Sequence, residues 1–282
     1  MAEERTTPGM KAALSIAGSD SSGGAGLQAH LKTWAAMNVF GCSVVTAITA
    51  QNTRGVLRVE HVAADLVEEQ IEAVVGDINC QSTVTGMIGT VALADTIARA
   101  ITRHQLQPLV VDPVMMSKSG AMLVDEAVVR AVAGRMFKFA AVVTPNRVEA
   151  ARLLGGQNCN TIAEGLAAAK QIARKFGCHA VVVTGFERPG PAADSPPEAV
   201  DAFWTGEETI ELVSEKRQTR NTHGAGCTFA AAIAGGLAQG KPLYDAIEQA
   251  KNVVSEAIRQ NINIGQGNGP VNHLAWLSVK KK

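Results

Sequence analysis

Six short runs rich in aliphatic and β-branched residues recur along the chain, ALSIAG, CSVVTAITA, VTGMIG, PLVVDPVM, AAVVTPN and HAVVVTG, and longer stretches of helical pattern lie between them. Most of the runs are apolar without interruption, which is how a strand reads when both of its faces are covered. The helical patterns fall over residues 26–37, 64–75, 92–104, 125–133, 147–154 and 161–176. Strand and helix in alternation predict an α/β fold, a three-layer α/β/α sandwich around a mostly parallel central sheet. In such a fold, ligands gather at the C-terminal ends of the strands.

The rhythm changes at RPGPAADSPP, 188–197, where four of the ten prolines make an exposed loop. EAVDAFWTG and ETIELVS then read as an antiparallel hairpin, and two closing helices start near Gly226 and Leu243. With no repeat and no long linker in 282 residues, a single domain is expected over 1–282, with 1–10 as a flexible tail. Residues of the hydrophobic class make up 46% of the chain, enough to bury a large core. The 26 basic residues balance 26 acidic ones and aromatic content is 4%, so neither a basic field nor a row of stacking platforms invites nucleic acid. The apolar run at 12–17 is too short for a signal peptide or a membrane span, and a cytoplasmic protein without a membrane partner is expected.

Five cysteines, Cys42, Cys80, Cys159, Cys178 and Cys227, are scattered without a C-x-x-C pair, which argues against a disulfide framework and a zinc site. Only Cys227 sits where chemistry is plausible. It closes the turn His223-Gly224-Ala225-Gly226-Cys227, which runs into an alanine-rich helical segment, so backbone N–H groups converge there as in a phosphate site. A second glycine cluster, AGSDSSGGAGLQAHLKT at 17–33, also joins a strand to a helix. It has neither the ending of a Walker A loop nor dinucleotide spacing, and the turn alone would call for glycines. GQG with Gly269 near the C-terminus reads as a turn.

In VVTPNRVEA, Asn146 can cap a helix with Glu149 in its first turn. The alternative is that both project from the sheet edge to organise Mg²⁺ and phosphates, with Asp112 as a second carboxylate at the same edge. Lys118, in SKSG, either closes over a nucleotide or is a solvated loop lysine.

Together GSDSSGGAGLQAHLKT, AQNT, DPVMMSKSG, TPNRVEA and THGAGCT resemble, in order and spacing, the hydroxymethylpyrimidine/phosphomethylpyrimidine kinases of thiamine biosynthesis, within the ribokinase-like superfamily. The likeness runs over 11–273. It implies MgATP-dependent phosphorylation of 4-amino-5-hydroxymethyl-2-methylpyrimidine and then of its monophosphate, by a homodimer. On that resemblance Gly224, Ala225, Gly226 and Cys227 form the anion hole, Gln51 reads the pyrimidine edge, and Gly18 and Met87 line the pocket. Asn146, Lys118 and Thr184 lie along ATP and its phosphates, and Glu149 and Asp112 lie at the metal. His30 stands where the pattern has an aspartate, and is either a substrate contact or a neutral change on a helix face. Cys227 stands where many sugar kinases of the superfamily have an aspartate base. A helix N-terminus lowers a thiol pKa, so Cys227 is expected as a thiolate that accepts the alcohol proton, the alternative being that only its N–H acts. Two rival readings stay open: a pyridoxine or pyridoxal kinase, and a catalytically inactive nucleotide-binding regulatory protein.

Overall fold

A computed structural model describes residues 9–118, 120–192 and 194–279. The expected tail at 1–10 lies mostly outside them. Nine strands form one sheet: β1 (Ala12–Asp20), β2 (Phe40–Asn52), β3 (Gly55–His61), β4 (Thr83–Thr85), β5 (Leu109–Val111), β6 (Ala140–Val143), β7 (Ala180–Arg188), β8 (Glu198–Trp204) and β9 (Thr209–Glu215). Their order is β3-β2-β1-β4-β5-β6-β7-β8-β9. Strands β2, β1, β4, β5, β6 and β7 are mutually parallel, while β3, β8 and β9 join antiparallel at the two margins.

The central parallel strands β1, β4, β5 and β6 have no solvent face. Leu14, Ile16, Val111 and Val143 look to one side, against helices α2 (Ala64–Val75), α3 (Val91–His104), α4 (Glu126–Met136), α5 (Arg147–Leu153) and α6 (Ile162–Phe176). Ala13, Val84, Val110, Val142 and Val182 look to the other, against α1 (Gly26–Met37), α7 (Ala225–Ala238) and α8 (Leu243–Arg259). A four-residue helix α9 (Trp276–Val279) follows. The predicted three-layer sandwich is therefore the observed one.

The sequence runs overshoot two strands. PLVVDPVM pairs only over Leu109–Val111 and VTGMIG only over Val84 and Thr85, the end of a strand that starts at Thr83, because the residues beyond turn away from the sheet at the functional edge. β3 was not expected: GVLRVEH is largely exposed on both faces and carries no apolar periodicity, being held by pairing to the overhanging end of β2.

One buried ion pair shapes the edge near β7. Lys251 Nζ, on α8, lies 2.7 Å from Asp201 Oδ2 on β8, and Asp201 Oδ1 accepts a hydrogen bond from Gly185 N at 2.9 Å. Gly185 has φ 98°, and β7 shifts register between Val183 and Phe186. The pair therefore fixes the bulge beside Thr184. Removing one partner strands a buried charge, whereas replacing both with apolar groups of similar volume is tolerated. Asp201→Asn should lower the unfolding free energy by about 3 kcal/mol in urea titration, and Asp201→Leu combined with Lys251→Met should recover most of that loss.

Candidate active site

Because the central strands run parallel, their C-terminal ends deliver residues to one edge: Asp20 from β1, Gln51 from β2, Gly86 and Met87 after β4, Asp112 after β5, and Asn146 after β6. Two glycine loops meet above that edge. Asp20, 4% exposed, accepts five hydrogen bonds: from Ser22 N (2.8 Å), Ser22 Oγ (2.7 Å), Gly24 N (3.1 Å), Ala25 N (2.8 Å) and His223 Nε2 (2.8 Å). Burial alone would raise its pKa, but the bonds from His223 and Ser22 outweigh that and bring it down to about 2. The loops touch through backbone: Gly224 has φ 80°, and a Cβ there would run into the Gly24 carbonyl.

This contact brings the N-termini of α1 and α7 together. At α7 the Ala225 N–H donates to the Thr222 carbonyl at 3.2 Å, so of the four expected anion-hole residues Ala225 has its donor engaged. The first-turn N–H groups of Gly226 and Cys227 have no partner within the helix and point out of its positive end. The Cys227 sulfur accepts from Gly26 N and donates to the Asp112 carboxylate. Burial first, and then the charges of Asp112 and Glu149, push this thiol well above its ordinary value. The expected thiolate is therefore not favoured: burial, and after it the two carboxylates, outweigh the helix dipole and hold Cys227 toward the thiol.

Asn146 and Glu149 form a complete capping box at α5. Asn146 Oδ1 accepts from Val148 N (2.9 Å) and Glu149 N (3.0 Å), and Glu149 Oε2 accepts from Asn146 N (2.9 Å). Glu149 Oε1 also accepts from Met115 N at 3.2 Å. The cap and the site are the same feature, for Glu149 is buried beside Asp112. Burial, and then the Asp112 charge, raise the Glu149 pKa, and burial raises that of Asp112. Among the described residues no cluster of three or more His, Cys, Asp or Glu could enclose a metal. Mg²⁺ needs none, since it keeps waters and takes one or two carboxylates along with phosphates. Two buried carboxyl groups that repel each other fit such a cation.

Gly18 and Met87 lie against each other: a Cβ on Gly18 would lie 3.5 Å from Met87 Sδ. Gln51 is placed by Ser21, whose Oγ donates to the Gln51 carbonyl (2.9 Å) and accepts from its N–H (2.8 Å). Its side-chain amide reaches to 3.4 Å from His223 Nε2. Thr184 N donates to the Pro145 carbonyl at 2.9 Å, which sets Thr184 beside Asn146. Lys118 is exposed in a tight turn, apart from this cluster. His30 is wholly buried, not on a free helix face: its Nδ1 pairs with Ser15 Oγ at 2.7 Å, Nε2 has no hydrogen-bond partner, and its ring adjoins Gly86 under the Gly18–Met87 pocket. Sequence reading passed over Asp20 and His223 as site residues, although both sit inside quoted glycine motifs. An acid at a strand end within such a loop was the available signal.

An α/β sandwich with two helix N-termini and a pair of carboxylates at one edge of its sheet is a geometry suited to phosphoryl transfer. Residues 20–272 match the phosphomethylpyrimidine kinase family, and the chain belongs to that family. It is a ribokinase-like kinase that uses ATP. It is 45% identical over 263 residues to a hydroxymethylpyrimidine/phosphomethylpyrimidine kinase of Rhizobium meliloti, covering 93% of this chain and 96% of that one. It is 42% identical to a thiamine biosynthesis bifunctional protein of Geobacter sulfurreducens, covering 93% of this chain and 52% of that protein, so it spans about half of that relative. Among solved structures, an ADP complex of Bacillus subtilis pyridoxal kinase superposes with TM-score 0.84 at 36% identity, over 95% of this chain and 98% of that one. A phosphomethylpyrimidine kinase from Clostridium difficile gives TM-score 0.74 at 34% identity, over 88% and 99%.

Burial holds His30 down to about 3, against 6.5 for a free imidazole, so the folded state keeps it neutral while the unfolded chain protonates it. The stabilisation from its neutral burial is complete above pH 6.5 and is lost as pH falls from there toward 3. Asp112 and Glu149, whose raised values act in the opposite sense, are common to wild type and variant, so urea titrations at pH 7.5 and 5.5 should show a His30 contribution only in the difference: on going to pH 5.5 the wild type should lose on the order of 1 kcal/mol relative to His30→Asn.

Proposed function

We propose that this chain transfers the γ-phosphoryl group of ATP to the hydroxymethyl oxygen of 4-amino-5-hydroxymethyl-2-methylpyrimidine and then to the resulting monophosphate, supplying the pyrimidine diphosphate for thiamine synthesis. One observation carries the reading: the Gln51 amide, which can match an aminopyrimidine edge with one donor and one acceptor, sits 3.4 Å from His223, the residue that leads into the anion-binding turn. Base reading and phosphoryl binding thus lie side by side.

In this reading the Gly226 and Cys227 N–H groups hold equatorial phosphoryl oxygens, and the α7 dipole favours the charge that develops there. Asn146 and Thr184 border the nucleotide phosphates, and Lys118 is poised to close over them. Gly18 and Met87 line the pyrimidine pocket, with His30 beneath it. Asp112 and Glu149 would hold Mg²⁺, which when bound supplies positive charge to the leaving phosphates. Because Cys227 is a thiol bonded to Asp112, its sulfur takes the alcohol proton only as its own proton passes to that carboxylate. A loose transition state asks for this transfer late, so a weak relay suffices. Exposed Phe40, Ile48 and Leu57 on β2 and β3 support the homodimer.

Pyridoxal is the second substrate to weigh, because the pyridoxal kinase superposes better than the pyrimidine kinase, at TM-score 0.84 against 0.74. ATP-dependent turnover of the pyrimidine alcohol, its monophosphate and pyridoxal, measured in parallel on purified protein, decides between them. The highest kcat/KM should fall on the two pyrimidines, and a preference for pyridoxal would overturn the assignment.

Substitution at Cys227 separates side chain from main chain. Cys227→Ala should lower kcat by roughly 10²-fold with the KM for ATP little changed, and Cys227→Ser, which can still pass a proton to Asp112, should recover part of it. Near-normal turnover in the alanine variant would assign the work to the N–H groups alone.

A further inference from the structure

The segment NINIGQGNGP, residues 261–270, contains the GQG and Gly269 that read from sequence as a turn, yet it is bonded to both halves of the site. Gly267 N donates to Thr53 Oγ1 at 3.1 Å and Asn268 N donates to the Thr53 carbonyl at 2.8 Å. Thr53 lies two residues past Gln51, in the turn between β2 and β3. The side chains of Arg54 and Gln266 hydrogen-bond beside it. A little further along, the Gly269 carbonyl accepts from His223 N at 3.0 Å, and Val271 N donates to the His223 carbonyl at 3.1 Å. The start of the segment is held as well, since Asn221 Nδ2 donates to Asn261 Oδ1 (3.0 Å) and Asn263 Oδ1 (2.9 Å).

Its glycines are required by contact. A Cβ on Gly265 would strike the Thr53 side chain, one on Gly267 the Thr53 carbonyl oxygen, and one on Gly269 the Asn221 side chain. The strap therefore lies directly on the Gln51 hairpin at one end and on the lead-in to the anion hole at the other. It is a second tie for Gln51, independent of the Ser21 bonds from the first glycine loop.

We infer that the strap at 265–269 is a positioning element for substrate selection: by gripping Thr53 and His223 together it sets the Gln51 amide at a fixed distance from the phosphoryl-binding turn. Thr53 and Gly267 act through Gln51 and do not touch the substrate themselves. The inference rests on Gln51 as the pyrimidine contact. A ring held at the wrong distance from the anion hole loses binding in its own pocket, while the nucleotide, bound along the edge at Asn146 and Thr184, is unaffected.

Steady-state kinetics with the pyrimidine alcohol and ATP test this in the full chain. Thr53→Val keeps the shape but deletes the acceptor for Gly267 N, and Thr53→Ser keeps that acceptor. Thr53→Val should raise the KM for the pyrimidine roughly fivefold, with the KM for ATP and the urea midpoint unchanged, and Thr53→Ser should match the wild type. Gly267→Ala, which forces the strap off the Thr53 carbonyl, should show a larger effect of the same kind. Gln51→Leu separates the two layers of the argument. If Gln51→Leu raises the pyrimidine KM selectively and Thr53→Val does not, the strap has no positioning role and Gln51 stands. If Gln51→Leu raises both KM values alike, Gln51 is not the pyrimidine contact and the inference falls with it. Loss of stability in Thr53→Val with no change in KM would show a purely structural strap and overturn the inference.

Discussion

A loop can close onto another loop's backbone this tightly only where a Cβ is missing, and this site is built on one such contact, Gly224 against the Gly24 carbonyl, stapled by Asp20 to His223. The staple is strong because it is charged, buried and saturated: the Asp20 carboxylate leaves water but gains five donors in exchange. Everything above the sheet edge follows from it. The N-termini of α1 and α7 are brought side by side, and behind them the two helices are locked by Trp34, wholly buried, whose Nε1 donates to the Ala231 carbonyl at 2.7 Å. A Cβ on Gly235 would sit only 3.1 Å from Trp34 Cδ1, so the close packing of the helices also depends on an absent side chain.

With the helix ends fixed, the electrostatics of the site are divided. Positive potential comes from main-chain dipoles at α1 and α7, and negative charge from Asp112 and Glu149 directly behind them. Neither carboxyl group is comfortable, since burial raises both and each discourages ionisation of the other. A site of this kind is held together by its surroundings and relieved by a cation and phosphates, the pattern expected where function has been favoured over local stability. Cys227 lies at the boundary between the two regions, bonded to a helix N–H on one side and a carboxylate on the other.

The layered fold was legible because continuous apolar strands in alternation with helices admit few arrangements, and the helix limits at 26–37 and 64–75 could be read directly. β3 was not, for a solvated ribbon has no periodicity to read. The capping box at Asn146 and Glu149 was legible as local chemistry, but that it doubles as one half of a carboxylate pair depends on Asp112 arriving from another strand. The error over Cys227 has the same origin. A helix N-terminus lowers a thiol pKa when it acts alone, and nothing in HGAGC says that the thiol is buried or that two acids from elsewhere in the chain face it. The strap at 265–269 was dismissed as a turn because its purpose lies in contacts with Thr53 and Asn221, which are distant in sequence.

His30 shows how one substitution is absorbed by such a framework. Where the resembling pattern has an aspartate, this chain places an imidazole that burial keeps neutral and that Ser15 holds through Nδ1. An aspartate at that depth would add a fourth buried acid to a site that already holds Asp20, Asp112 and Glu149. The imidazole adds none. The floor under Gly18 and Met87 is therefore uncharged, and the negative side chains are confined to the edge where cation and phosphates meet. The unpaired Nε2 leaves one polar atom in that floor, adjoining Gly86. A buried nitrogen without a partner is costly, and protonating it would add an unpaired buried charge, so burial keeps the ring neutral. The same helix carries Gly26, whose N–H bonds the Cys227 sulfur, so the seating of α1 is also the seating of the catalytic turn.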